Sequence, residues 1–238
     1  DKLMENIPSH LRGPNNDWFG FSKRARILAV NINRVNKGQI KKIEDLAKPV
    51  WRGRICSRPG SHVYNRALLA SIIAYNGEFF AQNWANGLVA NLAQRPQGND
   101  RAQVKAIYQG VCDIAIINSY YFGKLRNSKI IEQREWTKNV RIVFTNQGDR
   151  GNHINISGGG VAKYSKNKKL AIKFLEFLSE EKAQKLFTKI NYEYPANPKI
   201  ALNKELLSWG AFSEDQLPIS KIAELGPLAQ RIIDRVGW

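Results

Sequence analysis

Acidic residues are scarce in this chain: 238 residues carry 20 Asp and Glu against 37 Lys and Arg, a formal charge of +17. With so few carboxylates, no pair at acid–base spacing can be picked out. Histidine is rarer still, at three. His10 and His153 have no ligand-spaced partner, and His62 stands in a first helical turn, where a histidine is ordinarily a surface group. The two cysteines, Cys56 and Cys112, both fall in apolar, strand-like segments and make no CxxC metal or redox motif. They read as two thiols in a reducing compartment, or as a pair in an oxidising one if their strands are neighbours. No apolar run reaches the ~18 residues of a membrane span. No N-terminal signal pattern is present, and the chain opens at Asp1 without an initiator methionine, as a processed or cut chain does.

Several motifs are missing as well. There is no GxSxG nucleophile elbow. Gly158-Gly159-Gly160 lacks the Lys-Ser/Thr of a P-loop and the spacing of GxGxxG. No internal repeat or low-complexity tract occurs. No enzyme reading therefore has positive support. What remains is a chain long enough for two modest α/β domains or one large one, with a 43% hydrophobic content ordinary for a folded protein.

The excess of basic residues has a bland reading, a solvated lysine-rich surface, and a sharp one, an anionic partner. The charges are scattered: Lys23, Arg24 and Arg26; Lys41 and Lys42; Arg52, Arg54 and Arg58; Lys163, Lys166, Lys168 and Lys169. No aromatic residues interleave them in the manner that stacks bases.

Periodicity predicts strands at Ala25–Asn31, Gly53–Ser57, residues 112–119 and Arg141–Asn146, and extended chain over His153–Val161. Between the second and third strands it predicts a helix with Ser61 as N-cap, running through Leu68, Leu69, Ile72 and Ile73 to Gly77. A second helix follows over Glu78–Leu92, and a third is capped at Gly98-Asn99-Asp100 and stops at Gly110. Helices are also expected over Lys166–Leu178 and Ser179–Ile190, with an apolar face of Leu170, Phe174, Leu175, Leu178, Ala183, Leu186 and Phe187. After Pro195 only short helical pieces are expected. Strand, helices, strand argues for a mostly parallel sheet with helices on both faces.

Such sheets bind ligands past the carboxyl ends of their strands. Tyr64 lies just past one strand, in Ser61-His62-Val63-Tyr64-Asn65, and Tyr120-Tyr121 just past another. Taken singly, each reads as a core aromatic with a satisfied hydroxyl. On one rim, three phenols read better as a metal site. A free phenol holds its proton to a pH near ~10, but a bound trivalent ion strips it. Three phenolates balance Fe³⁺, a hard cation that selects oxygen donors.

At these residues the chain resembles the periplasmic ferric-ion-binding proteins, the iron-capturing subunits of ABC importers, over nearly its whole length. The resemblance is carried by Ser22-Lys23-Arg24-Ala25-Arg26, Gly53 to Cys56 with Ser61 to Ser71, and Pro96 to Gly110. Asp113 to Gly123 (DIAIINSYYFG), Asn146 to Gly158 and Asn191 to Asn197 complete it. It implies an α/β, two-lobed type II binding protein with a transferrin-like hinge. The first lobe, partial, would be 1–29 and 152–205, and the second 30–151 and 206–238. The chain would cross near Ala29–Asn31 and return near Gly151.

The resemblance further implies that Tyr64, Tyr120 and Tyr121 ligate Fe³⁺. Arg24, or failing it Arg26, would hold a synergistic anion such as carbonate or form closing contacts, while Tyr192 and Tyr194 are structural. It implies a periplasmic monomer with a Cys56–Cys112 disulfide that delivers iron to an inner-membrane ABC permease, with no catalysis and no nucleic-acid partner. The family carries a further segment ahead of the matched region, with another ligating tyrosine, so the first lobe is expected to be incomplete here. Two other readings compete: a binding protein for a different solute, such as an organic anion, and a basic nucleic-acid-binding protein.

Overall fold

The computed structural model describes residues 2–238. After a short helix α1 (Lys2–Asn6) the chain enters β1 (Phe19–Asn31), a strand of 13 residues around which the sheet is built. β2 (Ile55–Cys56), α2 (Val63–Ala90), α3 (Asp100–Tyr108), β3 (Ile114–Asn118), α4 (Ser119–Arg126), α5 (Ile131–Glu135) and β4 (Val140–Val143) follow. Then come β5 (Ile154–Gly159), α6 (Lys168–Ser179), α7 (Glu181–Asn191), β6 (Tyr194–Pro195), α8 (Lys204–Ser208) and α9 (Ile219–Val236).

The strand order is β2-β3-β1-β4, with β5 and β6 also paired to β1. The expected mostly parallel sheet is corrected. β1 runs antiparallel to β3, β4, β5 and β6, and among the described residues only the strands β2 and β3 pair in parallel. The physical reason is the connection: a parallel pair needs a crossover, which α2 and α3 supply between β2 and β3, while β5 and β6, joined by α6 and α7, each pair with β1.

β1 also begins six residues before the expected Ala25. Ser22, Lys23 and Arg24 break the apolar pattern that marks a strand. Each finds a polar partner instead: Glu193 for Ser22, Glu214 at 2.5 Å for Lys23, and Ser157 at 2.8 Å for Arg24. Along β1 the ladder changes partners between Ala25, which pairs with Ile154 of β5, and Arg26, which pairs with Asn118 of β3.

Alternation along the second half of β1 separates two cores. Leu28 and Val30 pack with Ile55, Ile114 and Ile116 under α2 and α9. Ile27 and Ala29 pack with Ala115, Ile117, Val104 and Ile107 under α3. A third, smaller core joins Phe19, Phe21 and Ile154 to α1 and to Leu175 of α6. Cys56 and Cys112 form a disulfide with Cα atoms 5.9 Å apart, as the resemblance implies.

The expected break at Gly77 is a kink inside one helix, with φ of +82° where a glycine is at ease. Gly87 does not stop that helix. A Cβ there would meet Ala47 at 2.7 Å, so the missing side chain permits close packing. The expected short pieces after Pro195 are corrected by α9, an 18-residue helix with Pro227 inside it. Its apolar stripe, including Ile222, Ala229, Ile232 and Ile233, is buried in the core shared with α2, and this outweighs one lost backbone donor.

Candidate functional site

β2 and β3 are neighbours and parallel, so their carboxyl ends open on the same rim. The chain leaves β2 through Ser57–Gly60 and enters α2, with Tyr64 in its first turn. It leaves β3 directly into α4, whose first turn holds Tyr120 and Tyr121. The Tyr64 and Tyr120 hydroxyls lie 3.1 Å apart. The rings of Tyr120 and Tyr121 stack with centroids 4.2 Å apart. All three phenols selected from the sequence thus meet at one point. The convergence argument holds because the one parallel pair is the pair that delivers them.

His62, not Ser61, caps α2: its Nδ1 accepts from the Tyr64 N–H at 3.3 Å. The ring also packs edge-on to Tyr64. Burial, then Arg58, lowers its pKa. Burial raises the Tyr120 phenol above its ordinary value, and hydrogen bonds with Tyr121 and Tyr64 raise it further. A proton leaves such a phenol only when a strong cation replaces it. Among the described residues, no three His, Cys, Asp or Glu side chains cluster where a metal could be held. The oxygen donors of this rim are phenols.

Cations surround them. The guanidinium carbons of Arg24, Arg26 and Arg58 stand 5.5, 5.7 and 5.0 Å from the Tyr64 ring centre. Arg101 lies 5.4 Å from the Tyr121 ring and the Lys124 ammonium 5.2 Å from that of Tyr120. The two arginines singled out from the sequence differ. Arg26 is 2% exposed, and its fork donates to Asp100 at 2.7 Å, Asn118 at 3.1 Å and Asn65 at 2.5 Å. Arg24 is more open. Its fork donates to Ser157 and to the Ile156 carbonyl at 2.8 and 2.7 Å, and the Glu193 carboxylate is 3.9 Å away.

Sequence reasoning missed Arg58, Arg101 and Lys124. Signals for two of them existed: Arg101 follows the Asn99 cap of α3, and Lys124 is four residues after Tyr120, on the same helix face. Tyr194, read as structural, pairs with Lys23 and packs against Trp209 and Phe212. A cavity of about 580 Å³ beside the first turn of α2 is lined by Val63, Arg66, Ile222 and Pro227 and includes none of the phenols. It is largely apolar, so the chemistry rests with the rim.

This sheet, with its phenol rim past β2 and β3, is the α/β fold of the type II periplasmic binding proteins, which bind solutes and are not enzymes. Residues 1–213 match the family model described as bacterial extracellular solute-binding protein, and the chain belongs to that family, whose setting is extracytoplasmic. It is 41% identical over 236 residues to iron uptake protein A1 of Synechocystis, covering 99% of this chain and 66% of that one. Iron uptake protein A2 of the same organism is 43% identical over 239 residues, covering 100% and 69%. A Trichodesmium protein (IdiA, also FutA) in complex with iron and citrate ligands superposes with a TM-score of 0.98 at 43% identity, covering 100% of this chain and 75% of the other. The chain spans about two thirds of the length of these curated relatives.

Proposed function

We propose that this chain captures ferric ion outside the cytoplasm with the phenolates of Tyr64, Tyr120 and Tyr121 and hands it to an ABC permease in the inner membrane. The observation that carries the reading is the meeting of the Tyr64 and Tyr120 hydroxyls at 3.1 Å, with the Tyr121 ring stacked on that of Tyr120. Three phenolates neutralise Fe³⁺, and hard oxygen donors select it over softer metals. The iron-related names of its relatives support the same cargo.

Arg24 would hold a synergistic anion such as carbonate: its guanidinium is near Tyr64, and among the described residues its carboxylate neighbour is Glu193, 3.9 Å away. Arg26 is enclosed by Asp100, Asn65 and Asn118 and serves the framework. The protein acts as a monomer whose lobes, 1–29 with 152–205 and 30–151 with 206–238, close over the ion. The small core of Phe19, Phe21, Ile154 and Leu175 gathers residues of the first of these lobes, whereas Ile27, Leu28 and Ala29 pack in the cores of the second. A second reading, capture of an organic anion, is favoured by Arg101 and Lys124 beside the phenols.

Tyr120→Phe and Tyr121→Phe separate the two. Each removes one donor oxygen and keeps the ring. Under the ferric reading each lowers iron affinity by about tenfold or more while thermal unfolding is unchanged. Ferric affinity unchanged in both variants would sink the metal reading and leave the anion.

A further inference from the structure

One buried carboxylate connects every segment that delivers a phenol. Asp100, at the first position of α3, is fully buried. Its Oδ2 accepts from Arg26 Nη1 and from the backbone N–H of Asn118, both at 2.7 Å. Its Oδ1 accepts from Arg58 Nη1 at 3.1 Å. Asn118 ends β3, two residues before Tyr120. Arg58 lies in the loop between β2 and Tyr64, and Arg26 is on β1.

Arg26 extends the connection: its Nη2 donates to Asn65 Oδ1 at 2.5 Å. Asn65 adjoins Tyr64, and its Nδ2 donates to Ser57 Oγ at 3.2 Å and to the carbonyls of Arg58 and Pro59 at 3.0 and 3.3 Å. The loop after β2, the first turn of α2 and the exit of β3 are thereby tied through one Asp–Arg–Asn chain.

We infer that Asp100 is the positioning residue of the three-phenol site, fixing the distance between the Tyr64 arm and the Tyr120-Tyr121 arm through Arg26, Arg58 and Asn65. This deepens the ferric reading and rests on it. Asp100 touches no phenol itself; it acts by where it holds the two arms. Partners one layer behind metal ligands commonly govern affinity to this degree, because they set ligand orientation. The same carboxylate offsets two guanidinium charges that face the Tyr64 ring.

The test is a ferric titration of the full chain as wild type, Asp100→Asn and Asn65→Ala, read by affinity and by the visible charge-transfer band of phenolate-bound iron. Thermal unfolding is run on each. Asp100→Asn keeps the shape and places a donor where Arg26, Arg58 or the Asn118 N–H needs an acceptor. Asn65→Ala keeps the Arg26–Asp100 ion pair and cuts the link to the Tyr64 turn. Each folded variant is expected to lose about tenfold or more in affinity, and its band to shift as the phenols meet iron at altered spacing.

A merely structural Asp100 would lower the Tm and leave the band of bound iron in place. Folded Asp100→Asn with affinity within about twofold of wild type and an unmoved band overturns the assignment. If that variant does not fold, Asn65→Ala decides on the same criterion. Wild type without a band is the failure of the ferric reading itself and removes the positioning role with it.

Discussion

Along Arg26–Asn31, β1 lies between two packed layers, with Leu28 and Val30 in one and Ile27 and Ala29 in the other. Along Phe19–Phe21 the same strand serves a smaller core, and the helices beyond it leave apolar side chains in solvent. Leu170 of α6 is 67% exposed and Ile190 of α7 68%, with Phe174 and Leu186 also exposed. The phenol rim belongs to the densely packed half. A site proposed to hold three oxygens around one ion gains from being built where the backbone has least freedom.

The largest expected effect comes from the disulfide, which lies wholly in the packed half and joins the strand before Tyr64 to the segment before Tyr120. It closes a loop of 56 residues. In the chain-entropy picture, Cys56→Ala with Cys112→Ala costs about 4 kcal/mol. Chemical denaturation of oxidised wild type and the double variant measures it. A loss below about 1 kcal/mol would show that the packing alone holds the two arms.

Next, Ile116→Ala should cost about 3 kcal/mol, the usual result of deleting buried methyl groups where the surroundings cannot collapse. Leu170→Ala, in the open half, should change stability by less than about 0.5 kcal/mol. Equal losses in the two variants, read from urea midpoints, would erase the contrast between the halves.

A last effect, negligible near neutral pH and growing as pH falls, probes the junction, where His153 accepts the Arg26 N–H on its carbonyl. Burial first, then the charges of Arg26 and Arg150, push its imidazole down to about 3. An unfolded histidine titrates near ~6.5, so between these values the unfolded chain binds a proton that the folded chain refuses. The contribution of His153 is therefore fully present above pH 6.5 and lost as pH falls toward about 3. The slope is at most about 1.4 kcal/mol per pH unit. His153→Gln should flatten the Tm-against-pH curve over that range, and an unchanged curve would place the acid sensitivity elsewhere.

The legible parts of the molecule were those in which local pattern and tertiary role agree. The apolar run Ile114–Ile117 followed by Ser119-Tyr120-Tyr121 announces both a buried strand and what stands at its end, and it folds as it reads. Gly77 announced a break and kinks the helix. The first half of β1 was hidden because Ser22, Lys23 and Arg24 interrupt its apolar pattern, and their partners lie over a hundred residues away. α9 was hidden by Gly226-Pro227, whose local cost is outweighed only by packing on α2.

The amphipathic stripe of α6 and α7 was legible as helix but not as core: Leu175 and Ala183 are buried, whereas Leu170, Phe174 and Leu186 face solvent, uncovered by any described residue. The phenols could be chosen from sequence because the rim rule applies to any parallel pair. The Asp100 connection could not, since it joins five segments that no spacing rule relates.

The most direct measurement is a visible absorption spectrum of the chain after mixing with ferric citrate and desalting. The account predicts a stable phenolate-to-iron charge-transfer band that survives removal of free citrate. A desalted protein with no band would contradict it and turn attention to the Arg101 and Lys124 side of the rim as a site for an organic anion.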